Sequence, residues 1–359
     1  MLDKLLTSLG GFESILKSFQ DGTLDESTNV SSMRCSYRLA IAIPIGIAST
    51  LLSYHLLLAR GTLASDFTWP WRAARALIVG ENPYLVIQNT GPYPFSMAFY
   101  YPLPAALVAL PFVYVEPYWA GALFFGLSSF LLAYSLTAKS LWRLSLFLSP
   151  SFFVAAYVAQ WSPLMLAVAL IPRLQMLLLC KPNLGIVSFI YNPTKTGVVA
   201  IIVGLALSLF VMPLWPIWWL ALVAFDTVRK SPIAVFPGIL LILSFLRWRT
   251  REGRAFIALA VLPQHIFFYD ELALWLIPKS LIQSIALSLI AWVGYLGWYF
   301  SIQSAITGPI TSMPWIAQLA APLLAPEVEQ APPWVIVFFF LPALIILLLP
   351  AKAASHDAC

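Results

Sequence analysis

The sequence has little charge for its length. Asp, Glu, Lys and Arg make up 10% of its 359 residues, while 61% of the residues are apolar. A soluble domain is about half apolar and about a quarter charged. We therefore predict that lipid surrounds most of this chain. Because the apolar runs are continuous and do not alternate with polar residues, we expect helices and not a β-barrel.

Cysteine pairs and the common nucleotide and hydrolase motifs are also missing. The three cysteines, Cys35, Cys180 and Cys359, are isolated, so nothing supports a disulfide framework or a thiolate metal site. No H-E-x-x-H, P-loop, G-x-S-x-G or G-x-G-x-x-G context occurs, which excludes zinc peptidases, NTPases and serine hydrolases. We predict neither a metal nor another cofactor.

The net charge of +5 does not indicate nucleic-acid binding, because no stretch combines clustered Lys and Arg with a soluble fold. In a membrane protein such an excess is typical of cytoplasmic loops and of contacts with anionic membrane lipids. We therefore expect membrane lipids, and no nucleic acid, among the partners.

The apolar runs predict an all-α fold, a polytopic transmembrane helical bundle of about 10 to 12 spans. Leu39–Ala59 is long enough to cross a bilayer. Arg34 and Arg38 precede it and favour a cytoplasmic N-terminus, which places residues 60–100 on the outer face. Three regions follow: 1–38, a cytoplasmic amphipathic segment with apolar residues at helical spacing; 39–350, the transmembrane domain; and 351–359, a short polar tail.

The charges of the loop at 137–143 and the number of predicted spans before it place this loop on opposite sides of the membrane. Several apolar runs are shorter than about 17 residues, so some must be tilted, broken or re-entrant. Lys139 and Arg143 place this loop in the cytoplasm, whereas simple alternation of spans places it outside. Either Tyr101–Val115 does not fully cross, or these two charges are exceptions to a statistical rule. The sequence leaves both alternatives open.

The stretch after the first span gathers polar and aromatic residues. Asp66 lies near the end of that span, and a carboxylate at such an interface can stay ionised while partly desolvated, which suits a general base. It could equally cap a following helix, which we predict over Trp69–Val79 along the membrane surface, ended by Gly80. On this helix, Arg72 and Arg75 could clamp a phosphate or reach lipid headgroups in general.

Charged residues beside or within later apolar runs mark a site by default, because they are expensive in lipid. Lys181 needs an anionic partner, unless it only marks a helix end. In a later apolar stretch, His265 and Tyr269 are four residues apart, which predicts one face of a helix, and Asp270 follows. A lone histidine is usually structural, but this cluster indicates the wall of a site.

Taken in order, these features resemble the polyprenol-phosphate-mannose-dependent glycosyltransferases of the GT-C superfamily. The closest group is the bacterial alpha-mannosyltransferases that extend phosphatidylinositol mannosides and lipoglycans. The resemblance covers roughly 40–280 and lies in Asp66, Gly80-Glu81-Asn82-Pro83-Tyr84, Tyr101-Pro102-Leu103-Pro104, Gln160, Lys181-Pro182, and Pro263, His265 and Tyr269-Asp270. The chain departs from the family pattern by lacking a doubled proline after Tyr101 and by having Ala159, not glycine, before Gln160.

The resemblance implies a GT-C fold with surface helices in the first extracytoplasmic loop, in a multi-pass protein of the plasma membrane. It implies an inverting transfer of a hexose, above all mannose, from a polyprenyl-phosphate donor to an extracytoplasmic lipid, glycan or protein acceptor. Asp66 would be the general base and His265 the second catalytic residue, beside the leaving phosphate. The implied substrate-binding residues are Arg72, Arg75, Tyr84, Tyr101, Gln160, Lys181, Tyr269 and Asp270. A metal is not required, because positive side chains can balance a single lipid phosphate.

Two other classes stay open. A lipid or solute transporter would favour inverted repeats and paired broken helices near the midplane, and no internal symmetry is apparent in the sequence. A non-catalytic scaffold or assembly subunit, derived from the same family and held in a membrane complex, predicts that Asp66 and His265 lie far apart. The enzyme hypothesis requires both residues to line one cavity.

Overall fold

The structure is a computed structural model that describes residues 35–60, 65–88, 98–224, 229–302 and 330–350. In these ranges the regular secondary structure is helical, with an isolated antiparallel β-bridge between Lys230 and Gln264 and no strand. The predicted all-α class is therefore confirmed for the described residues. The predicted amphipathic segment 1–38 lies outside them except for 35–38, and the predicted tail 351–359 lies wholly outside.

Prolines and polar caps divide the chain into many short helices. The α-helices of the described ranges are α1 (Cys35–Arg60), α2 (Thr68–Ile78), α3 (Pro83–Val86), α4 (Leu103–Ala109), α5 (Pro117–Thr137), α6 (Pro150–Tyr157), α7 (Ser162–Leu170), α8 (Pro182–Tyr191), α9 (Lys195–Val211), α10 (Trp215–Val223), α11 (Arg251–Val261), α12 (Leu281–Ile302), α13 (Ala331–Val335) and α14 (Leu341–Leu348). The 3₁₀ segments are Leu110–Phe112, Leu141–Leu148, Pro172–Cys180, Pro232–Ala234, Gly238–Arg247 and Asp270–Leu276. A short π-helix, Ile336–Phe340, joins α13 to α14.

The starts of these helices follow from local chemistry. Proline occupies the first turn of most of them, where its missing N–H costs nothing and its fixed φ suits the helix. Polar side chains also cap some of these helices: Glu116 accepts from Trp119 N at α5, and Ser149 accepts from Phe152 N at α6. Such caps satisfy backbone groups that lipid cannot.

Four helices of the described ranges are long and apolar enough to cross a membrane: Cys35–Ala59, Pro117–Thr137, Leu281–Ile302 and Ala331–Leu348. The pair α9 and α10 gives a fifth candidate, bent by 100° at a break that contains Pro213, since proline cannot continue a helix. The chain is therefore a helical membrane protein. These are fewer spans than the 10 to 12 predicted, because apolar runs such as Leu144–Val158 are divided into short helical pieces.

Helices α1 and α5 pack side by side in opposite directions. Near the start of α1, Arg38 donates to Tyr134 O at 2.6 Å, close to the end of α5. Near the end of α1, the ring of Tyr54 stacks on Trp119 at 4.0 Å, close to the start of α5. Between them the backbones approach so closely that a Cβ on Gly126 would collide with the α1 side chains. Small residues allow such contacts between membrane helices.

This antiparallel pair bears on the disagreement about loop parity. Because α1 ends and α5 begins at the same end of the pair, the chain between them, including Tyr101–Val115, starts and finishes at that end. Leu103–Phe112 is one of the apolar helices shorter than the candidate spans, which fits the alternative in which Tyr101–Val115 does not fully cross. The end of α5 lies beside the start of α1. The opposite end of the pair, where α1 begins and α5 ends, is called the basic end. It is formed by residues 35–38, 138–143, 247–254 and Leu348.

Contacts between these segments define the basic end. Arg247 donates to Leu348 O at 2.7 Å, and the Arg251 guanidinium lies 5.2 Å from the centre of the Tyr191 ring. Arg143 lies within electrostatic range of the same tyrosine. The cations gathered there are Arg38, Lys139, Arg143, Arg247, Arg249, Arg251 and Arg254, and the acidic residue in these segments is Glu252.

The predicted surface helix at Trp69–Val79 is present as α2, one residue earlier at each end. Gly80 has φ +79°, and Glu81 N donates to Ala76 O at 2.9 Å, which closes the C-terminus. Asn82 then accepts from Tyr84 N and starts α3. A small hydrophobic cluster around Tyr84 and Trp215 packs these surface helices against α10.

Candidate active site

A cavity of about 530 Å³ lies where α1 ends and α5 begins. This volume is within the range of small-molecule sites. The cavity contains two carboxylates, two cations and a histidine among tyrosines, tryptophans and aliphatic side chains. Its lining residues are Asp66, Trp69, Ala98, Tyr100, Tyr101, Pro102, Cys180, Lys181, Pro182, Asn183, Ile186, Trp219, Arg229, Leu262, Pro263, His265, Tyr269 and Asp270.

Asp66 is held at the cavity by its backbone and by a buried amide. Its backbone N–H donates to Val158 O at 2.8 Å, and its Oδ2 accepts from Gln160 Nε2. The residue that precedes α2 as its N-cap is Phe67, without a side-chain hydrogen bond to the helix. Asp66 precedes this N-cap residue and lines the cavity.

Gln160 connects Asp66 to a lysine from another part of the chain. The Gln160 side chain is fully buried. Its Oε1 accepts from Lys181 Nζ at 2.7 Å and from the backbone N–H of Trp161 at 2.8 Å. Because an ammonium can only donate, this contact fixes which end of the amide is oxygen and turns Nε2 toward Asp66. Gln160 therefore lies behind the cavity wall and orients Asp66.

Lys181 and Asp270 form a buried ion pair on the same wall. The distance from Lys181 Nζ to Asp270 Oδ1 is 2.7 Å, and the two side chains are 12% and 3% exposed. At this burial each charge depends on the other, since removing one partner leaves the second without compensation. Asp66, Gln160, Lys181 and Asp270 thus form one continuous hydrogen-bonded row.

His265 lies on an irregular segment and not on the predicted helix. Residues 263–267 have no regular secondary structure apart from the bridge of Gln264, and helical structure resumes at Asp270. The two side chains still meet, with His265 Nδ1 3.2 Å from Tyr269 Oη. Ser162 Oγ donates to Tyr269 O at 2.7 Å and anchors this turn to α7. The predicted pair is confirmed as a contact, but its helical spacing is wrong.

Tyr101 and Tyr84, both predicted to bind substrate, have different positions. Tyr101 lines the cavity, and its burial, together with the nearby Asp66 carboxylate, raises the pKa of the phenol well above its ordinary value. Tyr101 therefore remains a hydroxyl donor. Tyr84 is buried behind the wall, donates to Tyr101 O at 3.2 Å and packs on Phe99. Its place is to support Tyr101.

Arg72 and Arg75, predicted to clamp a phosphate, are not among the described residues that line the cavity. Arg75 is exposed, and its guanidinium lies 4.9 Å from the Trp71 ring centre. The cation that does line the cavity, besides Lys181, is Arg229. Sequence reasoning missed Arg229 because it belongs to a short basic loop, where positive charge is ordinary.

The turn before Gln160 carries a strained residue. Ala159 has φ +48°, a left-handed conformation that costs an L-residue with a Cβ about 1–2 kcal/mol. This is the position at which the sequence departs from the glycine of the resembling family. The conformation directs the chain from α6 into α7 and brings Gln160 between Asp66 and Lys181.

No group of three or more His, Cys, Asp or Glu side chains suited to a metal ion occurs among the residues that the structure describes. Comparison of the chain with protein-family models, with curated proteins and with solved structures finds no match in any of the three. The fold and site define a helical membrane protein with a largely apolar cavity that contains charged side chains.

Proposed function

We propose that this chain is a membrane glycosyltransferase of the GT-C type. It moves a hexose, mannose first among the candidates, from a polyprenyl-phosphate donor to a lipid, glycan or protein acceptor, with inversion. The observation that carries the proposal is that Asp66 and His265, far apart in sequence, line one cavity with the Lys181–Asp270 pair. A charged site of this kind within a helical membrane protein is expensive and indicates function.

The proposed reaction uses Asp66 as its base. The acceptor hydroxyl gives its proton to the Asp66 carboxylate. At the same time the acceptor oxygen attacks C1 of the hexose from the face opposite the phosphate. The bond from C1 to the phosphate oxygen breaks, and its electron pair leaves with the polyprenyl phosphate. Gln160 holds the carboxylate in one orientation, and donors such as His265 stabilise the charge that develops on the leaving group.

We infer the localisation from the charge of the basic end. The basic end gathers seven Lys and Arg residues in short segments, and short loops rich in Lys and Arg face the cytoplasm. The described residues that line the cavity come from outside these segments. We therefore place the protein in the plasma membrane, with the cavity opening on the extracytoplasmic side, where it meets lipid-linked sugars.

Single-cysteine labelling tests this orientation. Cys35 is exposed at the basic end, and Tyr114 is 90% exposed just before α5. In a Cys359→Ser background, a membrane-impermeant maleimide should label Cys35 in inverted vesicles and not in intact cells. Tyr114→Cys, made in a Cys35→Ser and Cys359→Ser background, should give the opposite pattern. Labelling of Cys35 in intact cells would contradict the orientation.

The two alternatives receive less support. A scaffold predicts that Asp66 and His265 lie far apart, and it gives no reason for a buried charge row beside a cavity. A transporter needs access from both ends, whereas the described cavity lining contains no residue of the basic end.

A transfer assay tests the function itself. The purified full chain, reconstituted in lipid nanodiscs, is given labelled polyprenyl-phosphate mannose and a set of lipid and glycan acceptors, with polyprenyl-phosphate glucose in parallel. We expect label in an acceptor with the wild-type chain and none with Asp66→Asn. Transfer that is equal in both would refute the base assignment.

A further inference from the structure

Three neutral polar side chains line the cavity and make no side-chain hydrogen bond to another described residue. They are the phenols of Tyr100 and Tyr101 and the amide of Asn183. Buried polar groups of folded proteins nearly always have a hydrogen-bond partner. The hydrogen-bonding capacity of these three groups is therefore left for whatever enters the cavity.

Trp219 lines the same cavity and can offer a ligand only carbon atoms. Its Nε1 donates to the backbone oxygen of Tyr100 at 2.9 Å, and an indole has no other polar atom. Its ring centre lies 6.0 Å from that of Trp215, whose own Nε1 donates to Ser208 Oγ at 3.1 Å. Because hydrogen bonds hold both indoles in place, Trp219 adds a fixed apolar surface to the cavity wall.

These groups lie close to the proposed base. The phenol of Tyr101 is within electrostatic range of Asp66, and the hydrogen bond from Trp219 goes to the residue that precedes Tyr101. Asn183 belongs to the first turn of α8 and lines the same cavity. A ligand in the cavity can therefore meet neutral hydrogen-bonding groups, an apolar ring and a carboxylate together.

This combination matches the chemistry of a sugar ring. Each hydroxyl of a sugar both donates and accepts hydrogen bonds, as do a phenol and a carboxamide. An ionised phosphate only accepts them, and a polyprenyl chain does neither. A sugar ring also carries C–H groups, which can pack on an aromatic side chain and bury apolar surface there.

We propose that the phenols of Tyr100 and Tyr101, the amide of Asn183 and the ring of Trp219 form a subsite for one hexose ring. This inference rests on the proposed function and deepens it, because it assigns the sugar itself to named residues. A hexose can reach the subsite from two sources, the lipid-linked donor and a glycan acceptor.

Binding measured apart from transfer tests the subsite and separates the two sources. The full chain in uncharged nanodiscs is titrated with fluorescent polyprenyl-phosphate mannose, with the matching polyprenyl monophosphate, which lacks the sugar, and with a fluorescent mannobioside, which lacks the lipid. The corresponding glucose probes are run in parallel. Asn183→Leu, which removes the amide at similar size, should weaken binding of a sugar-bearing probe about 3- to 10-fold and leave binding of the monophosphate unchanged.

The probe that loses affinity identifies the source of the ring. Weaker binding of the polyprenyl-phosphate sugar alone assigns the subsite to the donor, and weaker binding of the disaccharide alone assigns it to a glycan acceptor. Weaker binding of both, with the monophosphate unchanged, shows a hexose subsite that either ring can enter.

Substitutions of Trp219 test the apolar surface. Phenylalanine keeps an aromatic ring and loses an N–H that serves the protein, so Trp219→Phe should keep most of the sugar affinity. Trp219→Leu removes the ring and should lower that affinity about 10-fold. Trp218→Leu is the matched control, because Trp218 lies on the same helix, is 38% exposed and is not among the described residues that line the cavity. It should bind every probe as the wild type does, and thermal melts show which variants are folded.

The outcomes distinguish this inference from the proposed function. If Asn183→Leu weakens all probes equally, or none, the hexose subsite is wrong, even where sugar transfer depends on Asp66. A wild-type chain that binds no sugar-bearing probe more tightly than the monophosphate would also overturn the subsite. If only the sugar-bearing probes lose affinity and no transfer is found, the subsite stands in a protein that binds sugars and is not a transferase.

Discussion

Replacing Asp66 by asparagine removes the proposed base while keeping two named contacts of residue 66. The side chain keeps its size, and the new amide oxygen can still accept from Gln160 Nε2. The backbone N–H of residue 66 keeps its bond to Val158 O. The ion pair of Lys181 and Asp270 is two links away along the row and is left intact. The variant therefore isolates the proton-accepting function from the architecture of the site.

The expected loss is large and falls on turnover. General acid–base catalysis by one positioned side chain contributes about 10²- to 10⁴-fold, or about 3–5 kcal/mol of the activation barrier. Because asparagine can occupy the place of Asp66 against the acceptor but cannot take its proton, kcat should fall by this factor, while KM changes only a few-fold. Initial rates with labelled polyprenyl-phosphate sugar in nanodiscs measure both constants.

Asp270→Asn is the matched control, because Asp270 is the other carboxylate of the cavity. Its removal leaves Lys181 without its ionic partner in a largely buried site, which costs about 3–5 kcal/mol of stability. Asp66→Asn should therefore unfold near the wild-type temperature, and Asp270→Asn well below it. An Asp66→Asn protein with normal kcat would refute the base assignment. If the activity and the unfolding temperature of Asp66→Asn fall together, as in Asp270→Asn, the role of Asp66 is structural.

Three further predictions concern the surroundings of the site. Gln160→Ala breaks the link between Lys181 and Asp66, so kcat should fall about 100-fold from misorientation of the base with a smaller change in KM; steady-state kinetics that show only a KM effect would contradict this. Ala159→Gly relieves the left-handed strain at φ +48°, so the free energy of unfolding should rise by up to about 1 kcal/mol with activity retained. A lower unfolding temperature in a thermal melt would contradict this. Glu271 is fully buried, and neither carboxyl oxygen has a hydrogen-bond partner among the described residues. A charge there would be costly, so Glu271→Gln should unfold at the wild-type temperature or higher, and a clear loss in a thermal melt would show that the acid is needed.

Several site residues could be predicted because their signal is local. Asp66, Lys181, His265 and Asp270 are ionisable residues beside apolar runs, and such residues are expensive in lipid wherever the chain goes. Their type and surroundings in sequence are enough to mark them, and the structure brings all four to one cavity. The helix α2 and its end at Gly80 were predictable for the same reason, since caps and glycine turns are local features.

Other features depend on contacts that no local pattern contains. Arg229 reaches the cavity only because Lys230 pairs with Gln264, more than thirty residues away. Arg72 and Arg75 have the right type for a phosphate clamp, but packing of α2 leaves them off the described cavity wall. The contact of His265 with Tyr269 arises in a segment without helical structure, where the spacing alone indicated a helix.

The amino-acid sequence by itself determined that this chain is helical and lies in lipid. Apolar excess and scarce charge leave helices as the structure that satisfies every backbone group there. Tertiary structure decided which apolar runs form long continuous helices and which carboxylate meets which cation. Those outcomes depend on how α1 packs against α5, and on single hydrogen bonds between segments that only the folded chain brings together.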